Sequence, residues 1–122
     1  MKTIESRADL DAHVARSGDK PVFLIKHSTR CPVSTTALEQ YRRFVDDAGD
    51  GDHAYLDLIA HRDVSDAIAA DSGVRHESPQ ALLYHRGQVV WHDSHGRITA
   101  DRLASALAEA AGSGNTTSES SN

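Results

Sequence analysis

Residues Phe23–Tyr41 read FLIKHSTRCPVSTTALEQY and contain the chain's one cysteine, Cys31. The apolar run after Pro21, within KPVFLIKH, is consistent with a strand buried on both faces. Pro32 follows the cysteine and suits the first helical turn, where its missing N–H has no partner in any case. Beyond it, Ala37, Leu38, Tyr41, Phe44 and Val45 share one broad helical face. Cys31 is therefore predicted at a strand-to-helix junction.

A sulfur at such a junction meets the unpaired N–H groups and the positive end of the helix dipole. Lys26, His27 and Arg30 add cationic groups nearby in sequence, although strand alternation can send His27 to the opposite face. Each of these influences lowers a thiol pKa. A thiol of pKa about 8.5 is roughly 3% thiolate at pH 7, and one of pKa about 7 is roughly half thiolate. Falling nucleophilicity cancels much of that gain and leaves attack only about threefold faster. The low pKa helps more when the same sulfur must leave, which suits an exchange catalyst. The competing reading is an inert packed thiol, because free cysteine is among the most buried residue types.

Ser34 stands three residues on, where a two-thiol redox protein would carry its second cysteine. Serine cannot expel a bound substrate by closing a disulfide. A reactive Cys31 would hold one half of a disulfide and wait for an external thiol. Ser34 can donate a hydrogen bond to a thiolate or simply serve the helix start.

Working outward, a first helix is predicted from Ser6 as N-cap, with Asp9 completing a capping box and Gly18 supplying the stop. HAYLDLI reads as a strand, and HRDVSDAIAADSG as a helix with Val64, Ala67 and Ile68 inward and Gly73 as C-cap. Two strands, Gln80–Tyr84 and Gln88–Trp91, flank HRG, a hairpin signal. A last helix opens at Thr99, with Ile98 and Leu103 as a staple and Leu103, Leu107 and Ala110 as its apolar stripe. A strand–helix–strand unit followed by a hairpin predicts an α/β fold, a mixed four-stranded sheet with helices on both faces. The expected domain is 1–111, followed by a polar tail, 112–122, whose GSGNTTSESSN composition predicts disorder.

The 122 residues suffice for one domain. Hydrophobic residues at 39% and charged residues at 25% fit a globular protein. The net charge of -5 offers no electrostatic footprint for nucleic acid. No apolar run approaches the roughly 20 residues that span a bilayer, so no membrane association is expected. The opening MKTIESRADLDAHVARSG lacks a signal-peptide core, which predicts a cytoplasmic protein. One cysteine excludes an internal disulfide, and a reducing compartment suits a free thiol.

A second landmark is SGVRHESPQALLYHRGQVVW, in which Ser78-Pro79 precedes a strand. A proline a few residues after Gly-Val-Arg and before an HRGQVV hairpin resembles the thioredoxin-fold pattern, in which that proline is cis and faces the active-site cysteine. More narrowly, KHSTRCPVS, HESPQALLY and WHDSHGRIT together resemble the YtxJ family, the monothiol bacilliredoxins of the bacillithiol system. The resemblance runs from about Pro21 to about Ala110. It implies a thioredoxin-like fold and removal of bacillithiol, or a similar low-molecular-weight thiol, from protein mixed disulfides. Under it Cys31 is the nucleophile, and Pro32 and Ser34 complete its motif. Pro79 is the cis-proline and, with Ser78, presents backbone to the substrate disulfide. Lys26 and His27, with Arg30, form the basic approach. The implied partners are S-thiolated client proteins and the small thiol itself, a co-substrate in cell redox homeostasis; no cofactor is implied.

Eight histidines raise the question of a metal. His92 and His95 are three apart, but DS between them and Gly96 after them indicate a loop, and spacing fixes no third ligand. No metal is expected. Two other readings of Cys31 stand beside the enzyme: a thioredoxin-fold redox sensor or stress-related interaction protein modified at Cys31 without turnover, and a purely structural domain.

Overall fold

The computed structural model describes residues 2–28, 32–48 and 53–115. Five strands, β1 (Lys2–Thr3), β2 (Val22–His27), β3 (Ala54–Asp57), β4 (Gln80–His85) and β5 (Gln88–Ser94), form one sheet in the order β1-β3-β2-β4-β5. The first three run parallel, and β4 and β5 are antiparallel additions. The described residues also form four α-helices: α1 (Arg7–Arg16), α2 (Pro32–Ala48), α3 (Arg62–Ser72) and α4 (Ala100–Asn115).

Every residue of the central strand β2 is buried, and alternation divides its side chains between two cores. Phe23 and Ile25 join Tyr41 and Phe44 of α2 with Leu103 and Ala106 of α4. Val22 and Leu24 join Leu10 of α1 with Val64 and Ile68 of α3. The Phe23 ring meets Phe44 edge-on at 5.2 Å and Trp91 at 5.9 Å, an arrangement aromatic pairs favour.

Local chemistry sets the element ends. Ser6 Oγ accepts from Asp9 N at 3.1 Å, and Asp9 Oδ2 accepts from Glu5 N at 3.0 Å, a reciprocal cap on α1. Gly73, the C-cap of α3, has φ 74°. The β4–β5 turn places Arg86 at φ 58° and Gly87 at φ 81°, the two positive values a tight hairpin turn requires. Thr99 Oγ1 accepts from Arg102 N at 3.2 Å at the start of α4.

The α/β class, the helices on both faces and the hairpin agree with expectation, while the four-stranded count needs a fifth member. Lys2–Thr3 pairs with Ala54 and Tyr55, and two residues carry too little hydrophobic pattern to signal a strand. β5 continues past Trp91 to Ser94, because ladder pairing tolerates the polar stretch His92-Asp93-Ser94 at a sheet edge. Helix α4 runs to Asn115 rather than ending at the expected 111 boundary. Gly112 disfavours a helix by only about 1 kcal/mol against alanine and does not break it. Residues 116–122 of the expected tail lie outside the described residues, as do 49–52 of the acidic turn.

Candidate active site

Cys31 and Arg30 lie outside the described residues, and the site is described from the residues before and after them in the chain. Pro32 opens α2 and is exposed. Ser34 is fully buried, and its Oγ accepts a hydrogen bond from Ser28 N at 3.2 Å. That bond ties the end of β2 to the first turn of α2 across the segment that holds the cysteine. Because the hydroxyl oxygen accepts here, its own hydrogen stays available to donate elsewhere.

The Ser78–Pro79 peptide bond is cis, as the family resemblance implied. Pro79 is buried and Ser78 half-buried. The next residue, Gln80, pairs with Lys26 in the β2–β4 ladder. Pro79 therefore borders the strand end that leads through Ser28 to the cysteine. Its carbonyl accepts from His95 N at 3.0 Å, bringing in the 3-10 turn His95–Arg97. His95 has φ 55°, and its Nε2 lies 3.6 Å from Glu77 Oε1.

That turn is anchored by Asp93, a buried carboxylate that accepts from Arg102 Nε at 3.0 Å and lies 3.8 Å from Arg97 Nη1. Between the turn and α2 runs a cleft of about 310 Å³ lined by Thr36, Ala37, Gln40, His95, Gly96 and their neighbours. A larger cavity of about 490 Å³ lies between α1, α3 and the hairpin, lined by Leu10, Val14, Ile68, Tyr84 and Val89. It occupies the other face of the sheet at the opposite end of β4 from Pro79.

Of the basic residues predicted beside the cysteine, Lys26 and His27 are interior. Lys26 is 0% exposed, and its Nζ lies 2.9 Å from His76 Nδ1. Burial lowers its pKa to about 8, against the opposing pull of Asp66 and Glu77. His27 turns to the α2 side, where its ring sits 5.8 Å from Tyr55. Burial lowers its pKa, Asp57 opposes that shift, and Arg42 adds to it. His27 Nδ1 is buried with no hydrogen-bond partner among the described residues. At pH 7 the strand end thus contributes a cation on one face and a neutral imidazole on the other.

Two participants escaped the sequence reading. His76 lies within HESPQALLY, but nothing in the sequence reveals its contact with Lys26. The Asp93–Arg102 pair spans nine positions and bridges two elements, with no motif to announce it. Among the described residues, no group of three His, Cys, Asp or Glu side chains could hold a metal, and no helix is long and apolar enough to cross a membrane.

Comparison with known proteins extends this geometry. Residues 2–103 match the family described as monothiol bacilliredoxin BrxC. A solved structure described as a candidate oxidoreductase with a thioredoxin fold is 37% identical, with TM-score 0.80 over 86% of this chain and 91% of that one. Fasciola hepatica thioredoxin is 11% identical, with TM-score 0.74 over 89% and 98% of the two chains. Malassezia sympodialis thioredoxin is 21% identical, with TM-score 0.68 over 89% of each. The last two likenesses concern the fold alone.

Proposed function

The chain belongs to the monothiol bacilliredoxin family, and from that premise we propose that it removes bacillithiol, or a similar small thiol, from protein mixed disulfides through Cys31. The observation that supports this reading is the cis-Pro79 bond next to the Lys26–Gln80 pair at the end of β2, with the Ser28–Ser34 bond joining that strand end to the first turn of α2.

The Cys31 thiolate attacks the small-thiol sulfur of a client mixed disulfide. The client S–S bond breaks, its sulfur leaves as a thiolate that takes a proton from water, and a new S–S bond joins Cys31 to the small thiol. Serine at position 34 cannot displace that adduct. A second small thiol, as its thiolate, attacks the small-thiol sulfur, restores Cys31 and departs as the symmetric disulfide. One disulfide is present before and after each exchange, so the client is reduced at the expense of the small thiol. Ser34 supports the first step as a hydroxyl donor to the anionic sulfur, and the amides opening α2 favour the same charge. Ser78 and Pro79 offer backbone to the substrate, and Pro32 fixes the start of the helix. S-thiolated proteins are the partners, and the cytoplasm, where small thiols stay reduced, is the compartment.

The test is incubation of a bacillithiolated reporter protein with catalytic amounts of the chain and excess bacillithiol. Release of many client equivalents per chain, with one small-thiol adduct on Cys31 by intact mass, is expected. Stoichiometric release would favour a sensor. No release and no adduct would end the exchange reading.

A further inference from the structure

Lys26 and Gln80 are register partners on β2 and β4, so their side chains project to the same face. Each holds one of two consecutive residues in the segment joining α3 to β4. Gln80 Nε2 donates to the Arg75 carbonyl at 3.0 Å, and Lys26 Nζ contacts His76 Nδ1 at 2.9 Å. Pro79 follows three residues after His76. Lys26 is wholly buried, whereas His76 is exposed.

A lysine ammonium has donors and no acceptor. Its contact therefore makes His76 Nδ1 the accepting nitrogen and leaves the ring proton on Nε2. Since Nδ1 faces a buried group, the exposed part of the ring is the part that carries Nε2–H. We propose that Lys26 is a positioning residue that acts through His76, fixing its tautomer so that Nε2–H is offered beside Ser78–Pro79 to an acceptor oxygen of the mixed-disulfide substrate. This inference rests on the thiol-exchange reading and adds a substrate contact to it.

The surroundings define a pH dependence. Asp66 of α3 and Glu77 of the connecting segment favour the charged form of Lys26, but burial outweighs them and places its pKa at about 8. Burial lowers the His76 pKa, and nearby Lys26 and Arg62 lower it further against Asp66 and Glu77. His76 is thus neutral at pH 7. Loss of the Lys26 proton gives Nζ a lone pair, so His76 Nδ1–H can donate to it and leave Nε2 bare. The outward donor becomes an acceptor, and substrate affinity falls.

Two measurements test this. Long-range nitrogen–proton NMR of the whole protein reports the His76 tautomer, and steady-state kinetics with a bacillithiolated reporter separate KM from kcat. The Nε2–H form is expected at pH 7. His76→Ala should raise KM about fivefold, the loss of one neutral hydrogen bond, with kcat little changed. KM of the wild type should rise between pH 7.5 and 9, and KM of His76→Ala should not. Lys26→Arg, a donor that does not titrate, should flatten the wild-type rise where it folds; the exposed His76→Ala variant keeps the test decisive where it does not. An Nδ1–H tautomer at pH 7, or an unchanged KM in His76→Ala, would overturn the proposal. Absence of turnover in the wild type would instead sink the exchange reading, and the tautomer spectrum would still decide the Lys26–His76 link.

Discussion

Three buried groups set how stability varies with alkaline pH. Lys26 has a folded pKa of about 8 against an ordinary 10.5. Below about pH 8 both states hold its proton and it contributes no slope. Between the two values the unfolded chain binds more protons, and stability rises with pH. Burial pushes Tyr84 up to about 12, and Tyr41 well above its ordinary value. Above about pH 10 the unfolded chain loses tyrosine protons that the folded chain keeps, and stability falls. Urea midpoints across pH 7.5–11 should therefore pass through a maximum, and Lys26→Met should remove the rising limb. A rise that persists in Lys26→Met would refute the assignment. Tyr41 also donates to the Ala54 carbonyl at 2.6 Å inside the core. Tyr41→Phe removes that bond and should lower unfolding free energy by about 1 kcal/mol, read by the same titration. At this scale the cis bond at Pro79 was legible through the family resemblance, because that motif is tied to residue type and to neighbours in the chain. The burial of Lys26 was not, since a lysine written after an apolar run gives no sign of which groups receive its ammonium.

Caps and junctions carry the next level. Ser6→Ala removes the acceptor for Asp9 N and should cost about 1 kcal/mol in chemical denaturation. Asp93→Ala breaks the bonds that bind β5 to α4. It should cost about 2 kcal/mol and loosen the turn that supports Pro79, so turnover should fall more than stability alone explains. Amide exchange at His95, whose N–H is bonded to Pro79, checks this; unchanged protection would contradict it. Helices α1 to α4 were readable because caps and 3.6-residue periodicity are local signals. Strand β1 and the end of β5 were not, since they are held by ladders to distant residues, Ala54 with Tyr55 and Gln80 with Ala81.

Across the described residues, α2 and α4 cover one face of the sheet and α1 and α3 the other, and the two cores draw on positions up to Ala110. Deleting 116–122 should leave the melting temperature and turnover within experimental error. A marked loss of either would show that the polar end contributes. The overall architecture was legible because the order of elements restricts the topologies available, whereas the contacts that complete the site join residues far apart in sequence. One further effect follows from the fully buried central strand. Val22–Ile25 is apolar on both sides, so those four residues alone would tolerate a shift of one position against their neighbours. Lys26 and His27 do not, because a shift by one would turn the ammonium into the apolar core between the sheet and α2 and separate it from His76. The same two side chains that end the strand therefore penalise misaligned assembly, and the chain selects its native pairing with the residues that lead to its cysteine.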